Sequence, residues 1–153
     1  IASRGNNRSP ATVSAAKYSA PFSIATALIA GKAWREDYTP GKIAGGPVMD
    51  LAAKVEVHAD PELEKLYDQK WPSIVEVVMK DGRTFQARRD LPKGEPEFPL
   101  SDEDVVRKFM DLAGDAVSQR RAEEIQETVW KLEKLDDIRT LTGLLAPAGP
   151  AQA

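Results

Sequence analysis

The 153 residues are 42% apolar and 29% charged, a balance that suits one folded domain, with or without an extension, and excludes a disordered chain. Cysteine is absent and histidine occurs once, at His58. Disulfide scaffolds, thiolate metal sites, cysteine nucleophiles and multi-histidine metal centres within one copy are therefore excluded, and a net charge of −3 supplies no field for nucleic acid.

Residues 1–10 are polar and turn-rich, with Gly5, Asn6, Asn7 and Pro10, and read as a linker or tail. Residues 11–17 suit a short helix. Ser19 then reads as an N-cap with Pro21 in the first turn, and Phe22, Ile24, Ala25, Leu28 and Ile29 recur at helical spacing up to Gly31. This run is apolar on most sides, which predicts deep burial, yet it is too short to cross a bilayer. No basic-then-apolar start precedes it, so no secretory leader is expected and a cytoplasmic location is. The first residue is Ile1, which fits a processed chain or a segment of a longer protein.

Trp34 to Gly46 reads as a loop, and Pro47 opens a short helix. Val55 and Val57 alternate with Glu56 and His58, a strand pattern with one wet face. Asp60-Pro61 caps another short helix, ended by Trp71-Pro72. The clearest local signal is Asp81-Gly82 between residues 73–80 and 83–90. It predicts a two-residue hairpin turn with Val78 opposite Phe85 and Val77 opposite Gln86, and pairing of the hairpin with the strand at Val55–Val57. Pro92, Pro96 and Pro99 make an extended connector. Ser101 with Asp104 resembles a capping box for a helix carrying Val105, Val106, Phe109, Met110 and Leu112. A second helix from Ser118 places Ile125, Val129, Leu132 and Leu135 on one stripe, and Ile138, Leu141, Leu144 and Leu145 form a last apolar group. The expected fold class is α+β: a small antiparallel sheet with the Asp-Gly hairpin packed against helices.

Candidate chemistry is thin. His58 lies beside Glu56 and Asp60; a solvated strand residue is the plainer reading than a general base. Lys17 and Ser19 stand where a carboxylate could be held, although Ser19 also suits a helix cap. Arg4 and Arg8 could grip an anion at two points, or be solvated in a tail. Arg120, Arg121, Glu123 and Glu124 read as an exposed helix face. Trp34, Trp71 and Trp130 read as core or interface anchors. No phosphate loop, zinc spacing or nucleophile elbow occurs. On residues alone this is an α+β domain without a self-contained active site.

Three stretches together resemble the C-terminal part of the MmgE/PrpD family, whose members include 2-methylcitrate dehydratase, cis-aconitate decarboxylase and iminodisuccinate epimerase. Ala16-Lys17-Tyr18-Ser19 leading into the apolar helix up to Gly31 is similar to the family's A-K-F-S segment. Val75-Glu76-Val77 running into Lys80-Asp81-Gly82-Arg83-Thr84 is the second stretch. Pro92-Lys93-Gly94-Glu95-Pro96 with Pro99-Leu100-Ser101-Asp102-Glu103-Asp104 and Lys108-Phe109 is the third. The close, from Leu135-Asp136-Asp137 to Leu144-Leu145, fits as well.

The resemblance implies a lid-like α+β domain over 11–117 and terminal helices over 118–146 that pack on a larger all-helical domain, followed by a flexible tail over 147–153. It implies proton abstraction next to a carboxylate of a small di- or tricarboxylate, as lyase or isomerase, 2-methylcitrate dehydratase-like, without a cofactor or metal. Catalytic groups are expected mainly on the helical domain, supplied in cis or as a second chain, and a homo-oligomer is expected. Lys17 and Ser19 match the motif and are the substrate-binding candidates. Some decarboxylase-type members carry a tyrosine shortly before the A-K-F-S-like segment. Here that stretch is about Arg4-Gly5-Asn6-Asn7, which counts against cis-aconitate decarboxylation. The competing class is a non-catalytic interaction module, or the small subunit of a two-chain enzyme.

Overall fold

A computed structural model describes residues 5–146. Its contacts group into two compact units that divide between Pro72 and Ser73. Among the described residues there are eight α-helices and one two-stranded antiparallel sheet, an α+β composition.

In the N-terminal unit, α1 (Val13–Lys17) starts at Thr12, whose hydroxyl accepts the Ala15 N–H at 3.1 Å. Helix α2 (Ala20–Ala30) starts at Ser19, holds Pro21 in its first turn, and stops at Gly31, where φ is 73°. Only glycine adopts that left-handed conformation without a Cβ penalty, and its N–H closes on the Ala27 carbonyl at 2.9 Å. Phe22, Ala25 and Thr26 recur at helical spacing on the buried face of α2. That face packs on α4 (Pro47–Ala52) and on α1, so Phe22, Ala25, Ala16 and Ala52 are fully buried. Deep burial of α2 is corrected: Leu28 and Ile29 at its C-terminal end are about half exposed, because the helices packed on α2 leave that end uncovered.

Residues 34–46 are more ordered than the expected loop. They hold a 3₁₀ turn (Arg35–Asp37) and α3 (Pro40–Ile43), which Thr39 caps and Pro40 opens. The expected strand at Val55–Val57 is absent. The sheet has two strands, and Val55 is turned back onto α4 by its N–H to the Ala52 carbonyl at 3.1 Å. Its alternation is nonetheless real as burial: Val55 and Val57 are half-buried, Glu56 and His58 exposed. Asp60 caps α5 (Pro61–Glu64), accepting the Glu62 and Leu63 N–H groups. Tyr67 and Trp71 then stack with centroids 6.1 Å apart.

The C-terminal unit opens with β1 (Ser73–Val78) and β2 (Thr84–Arg89). The hairpin is present, but its register differs by one residue from the two-residue turn. Val77 faces Phe85, Val75 faces Ala87 and Val78 faces Thr84. The loop is three residues, Lys80, Asp81 and Gly82, closed by Met79 N–H to the Arg83 carbonyl at 2.8 Å and Gly82 N–H to the Met79 carbonyl at 3.0 Å. Gly82 sits at φ 86°, and three-residue hairpin loops place a left-handed residue there. The shift gathers Val75, Val77, Phe85 and Ala87 on one face instead of splitting them. β2 nevertheless stays exposed along its length.

The connector is folded back by Gly94 N–H to the Phe98 carbonyl at 2.7 Å. Ser101 caps α6 (Asp102–Ala113), and Ser118 caps α7 (Gln119–Trp130). Helix α6 packs on α7, and α7 on α8 (Arg139–Leu145). The stripe expected to run to Leu135 is cut short, since α7 ends at Trp130 and Leu132 lies in a separate 3₁₀ turn. Ala122 and Ile125 are the buried residues of α7. No helix among the described residues is long and apolar enough to cross a membrane.

Candidate functional site

The two residues singled out on the N-terminal side sit at the α1–α2 junction and behave differently. Ser19 is buried, and its hydroxyl is used in both directions. It accepts the Phe22 N–H at 3.0 Å and donates to the Asn7 carbonyl at 2.5 Å. Residues 5–10 are thereby held against the α1–α2 turn, with Pro10 buried and Arg8 half-buried. Lys17 is exposed and pairs with no acid among the described residues, and Tyr18 beside it is 80% exposed. Arg8 approaches Glu56 at 3.8 Å. The other oxygen of Glu56 lies 3.3 Å from His58 Nε2, an ion pair only when the imidazole is protonated. His58 is solvent-exposed, in line with its plainer reading, but on an irregular segment rather than a strand. Arg4 lies outside the described residues.

Sequence reasoning missed the charged staples. Asp37 is buried and is held by Lys42 Nζ at 2.5 Å and by the Trp34 N–H at 3.0 Å. The Lys42 ammonium, then the Trp34 N–H, holds its carboxyl below the usual range. Tyr38 packs on Phe22, centroids 5.5 Å apart, and its hydroxyl bonds Ser23 at 2.9 Å. These contacts fix the 34–46 segment on α2. In the other unit Asp104 is gripped by Lys93 and, at 2.6 Å, by Arg107. The Lys93 ammonium is the main cause of its lowered carboxyl pKa. The i, i+3 spacing of Asp104 and Arg107 was the available signal.

Arg121 departs from the exposed-face reading. Its guanidinium donates to the carbonyls of Leu144 at 2.8 Å, Gly143 at 3.2 Å and Ala146 at 2.5 Å. These are carbonyls at the end of α8, which lack intrahelical partners, so Arg121 serves as its C-cap. Arg120 does lie on the solvated face, pairing with Glu124 at 3.0 Å. Of the tryptophans, Trp34 is half-buried with its indole N–H unpartnered among the described residues, while Trp71 and Trp130 are exposed. A shallow open groove runs along Glu124, Glu127, Thr128, Lys131 and Leu144. Among the described residues no cluster of acids and histidine could hold a metal ion.

An α+β chain with a serine-capped apolar helix, an Asp-Gly hairpin and a proline-rich connector into two helices is the arrangement that the quoted motifs implied. Residues 1–134 match the MmgE/PrpD C-terminal domain, and the chain belongs to that family. Cis-aconitate decarboxylase of Homo sapiens is 29% identical over 147 residues, 96% of this chain and 30% of that protein. Cis-aconitate decarboxylase of Mus musculus is 29% identical over 130 residues, covering 85% of this chain and 26% of that protein. The Aspergillus terreus enzyme of the same name is 31% identical over 98 residues, 64% of this chain and 20% of that protein. The chain thus spans less than a third of the curated relatives it matches. These relatives carry the decarboxylase name, whereas the stretch Arg4–Asn7 without tyrosine counts against decarboxylation and leaves dehydratase and epimerase open. The family supports a lyase domain and not the narrower dehydratase assignment.

Proposed function

We propose that this chain is the C-terminal, lid-forming portion of a lyase that acts on a small di- or tricarboxylate, with the acid/base groups supplied by a helical domain in cis or as a second chain. The observation that carries the reading is the family match over residues 1–134, together with relatives named as cis-aconitate decarboxylases. Residues 11–117 form the lid in this reading, and 118–146 pack on the helical domain. Exposed Leu28 and Ile29 on α2, and Val129, Trp130, Leu132, Ile138 and Leu145 near α7 and α8, support a covering partner, a second copy included. Lys17 is the cation offered to a substrate carboxylate, and Ser19 fixes the turn that presents it. Loss of carbon dioxide from cis-aconitate is the first reaction to test. Loss of water from 2-methylcitrate is the second, because the stretch Arg4–Asn7 without tyrosine counts against decarboxylation and leaves dehydration and epimerisation open.

Acid/base catalysis typically contributes about 10²–10⁴-fold and needs a group titrating near neutrality within hydrogen-bond reach. Exposed His58 offers the only imidazole in the sequence. The chain alone is therefore expected to turn over neither acid, and joining it to the helical partner is expected to restore turnover. Proton NMR of each acid, incubated with the chain and then with the joined protein, gives the answer. Turnover by the chain alone, abolished by His58→Ala, would overturn the reading. A joined protein inert towards both acids would favour an interaction module.

A further inference from the structure

We propose that Arg8 is a second carboxylate-binding cation, delivered beside Lys17 by the Ser19–Asn7 hydrogen bond, and that the two cations take two carboxylates of one small polycarboxylate. This rests on the polycarboxylate reading above and adds its second anchoring residue.

The first observation is the clasp. The buried Ser19 hydroxyl donates to the Asn7 carbonyl at 2.5 Å, and that carbonyl belongs to the peptide bond entering Arg8. Lys17 lies two residues before Ser19. A chain extends at most about 3.6 Å per residue, so the clasp confines the backbones of Lys17 and Arg8 to one small neighbourhood. Two long side chains and a tricarboxylate can span it. The second observation is that Lys17 is exposed and pairs with no acid among the described residues. The third is the loose hold on Arg8. Its distance to Glu56 is 3.8 Å, against about 2.7–2.9 Å for a well-formed charge-assisted hydrogen bond. Glu56 is also within 3.3 Å of His58. Glu56 is thus a resident carboxylate that a ligand carboxylate would displace from Arg8. The guanidinium fork matches a carboxylate at two points, and the lysine ammonium holds another as a point charge. A monocarboxylate engages one cation and gains nothing from the other.

Calorimetric titration of the chain with tricarballylate and with acetate tests this, on the wild type and on Arg8→Gln, Ser19→Ala and Glu56→Gln, each checked for folding by circular dichroism. Tricarballylate is expected to bind the wild type more tightly than acetate. Arg8→Gln and Ser19→Ala should weaken tricarballylate about tenfold and acetate by about twofold at most, since acetate can still engage Lys17; tenfold is the low end for a charge-assisted contact open to solvent. Glu56→Gln should tighten tricarballylate several-fold, because the competing carboxylate is gone; a merely structural Arg8–Glu56 pair would give no such gain. Unchanged tricarballylate affinity in Arg8→Gln, or weakened affinity in Glu56→Gln, would overturn the role of Arg8. Wild-type binding of tricarballylate no tighter than of acetate would overturn the paired site. The polycarboxylate reading is judged separately by turnover of the joined protein, which none of these outcomes decides.

Discussion

Up to Pro72, α1, α2 and α4 close over fully buried Ala16, Phe22, Ala25 and Ala52. From Ser73 onward, among the described residues, Ala122 and Ile125 are buried, while Phe85 stays 55% exposed and Val78 66%. Both units have well-made ends: Thr12, Ser19 and Asp60 cap helices in the first, Ser101 and Ser118 in the second. Caps and turns therefore form elements equally well in both. What differs is whether an apolar face meets another within the unit. The packed face of α2 against α4 makes a core, whereas the apolar face of the hairpin remains accessible.

The largest break in that comparison should come from Phe22→Ala. Emptying a fully buried phenylalanine site costs about 3–5 kcal/mol, while Phe85→Ala on the open hairpin should cost under about 1 kcal/mol. Urea unfolding of the two variants checks this, and equal losses would mean that the hairpin face is covered in solution. Next, Arg121→Ala should cost about 1.5–3 kcal/mol of local stability by leaving the α8 carbonyls without their charged donor. Hydrogen exchange should show α8 losing protection while α2 keeps it; no change in α8 would sink the capping role. Ser19→Ala should cost about 0.5–2 kcal/mol through the lost cap, read from the same urea curves, with Ser118→Ala as the matched change in the other unit.

The smallest effect is a pH dependence confined to the first unit. The folded pKa of Asp37 lies below its ordinary value, chiefly because of Lys42. Its pairing therefore stabilises at pH above the usual aspartate range of about 4, and that contribution disappears as pH falls through the lowered folded value. Asp37→Asn should flatten the acid limb of the stability curve of the N-terminal unit. An unaltered limb would show that the buried pair is not linked to folding.

Local chemistry was legible, and distance was not. Ser19, Gly31, Asp60, Ser101 and Ser118 announced their helix ends because a cap is written within four residues of the backbone group it satisfies. Asp81-Gly82 announced a turn, yet the pair serves two-residue and three-residue loops alike, so the register slipped by one. Alternation at Val55–Val57 reported burial correctly and pairing incorrectly, because pairing needs a partner strand that no local pattern names. Lys17 and Ser19 were legible as candidates, but the Asn7–Ser19 clasp and the Arg8–Glu56 approach join residues far apart in sequence. Arg121 looked like one more solvated charge until α8, more than twenty residues on, supplied the carbonyls.

The three-residue loop at Lys80, Asp81 and Gly82 has a consequence for what the hairpin presents. In a ladder of period two, the choice of which residues the loop keeps acts as a parity bit for everything that follows it. Were Lys80 drawn into the ladder opposite Arg83, Thr84, Gln86 and Arg88 would come round to the face of Val75 and Val77, and the apolar stripe would be scrambled by a change that touches none of its members. Deleting Lys80, by contrast, leaves Met79 opposite Arg83 across a two-residue Asp81-Gly82 turn, with the stripe intact.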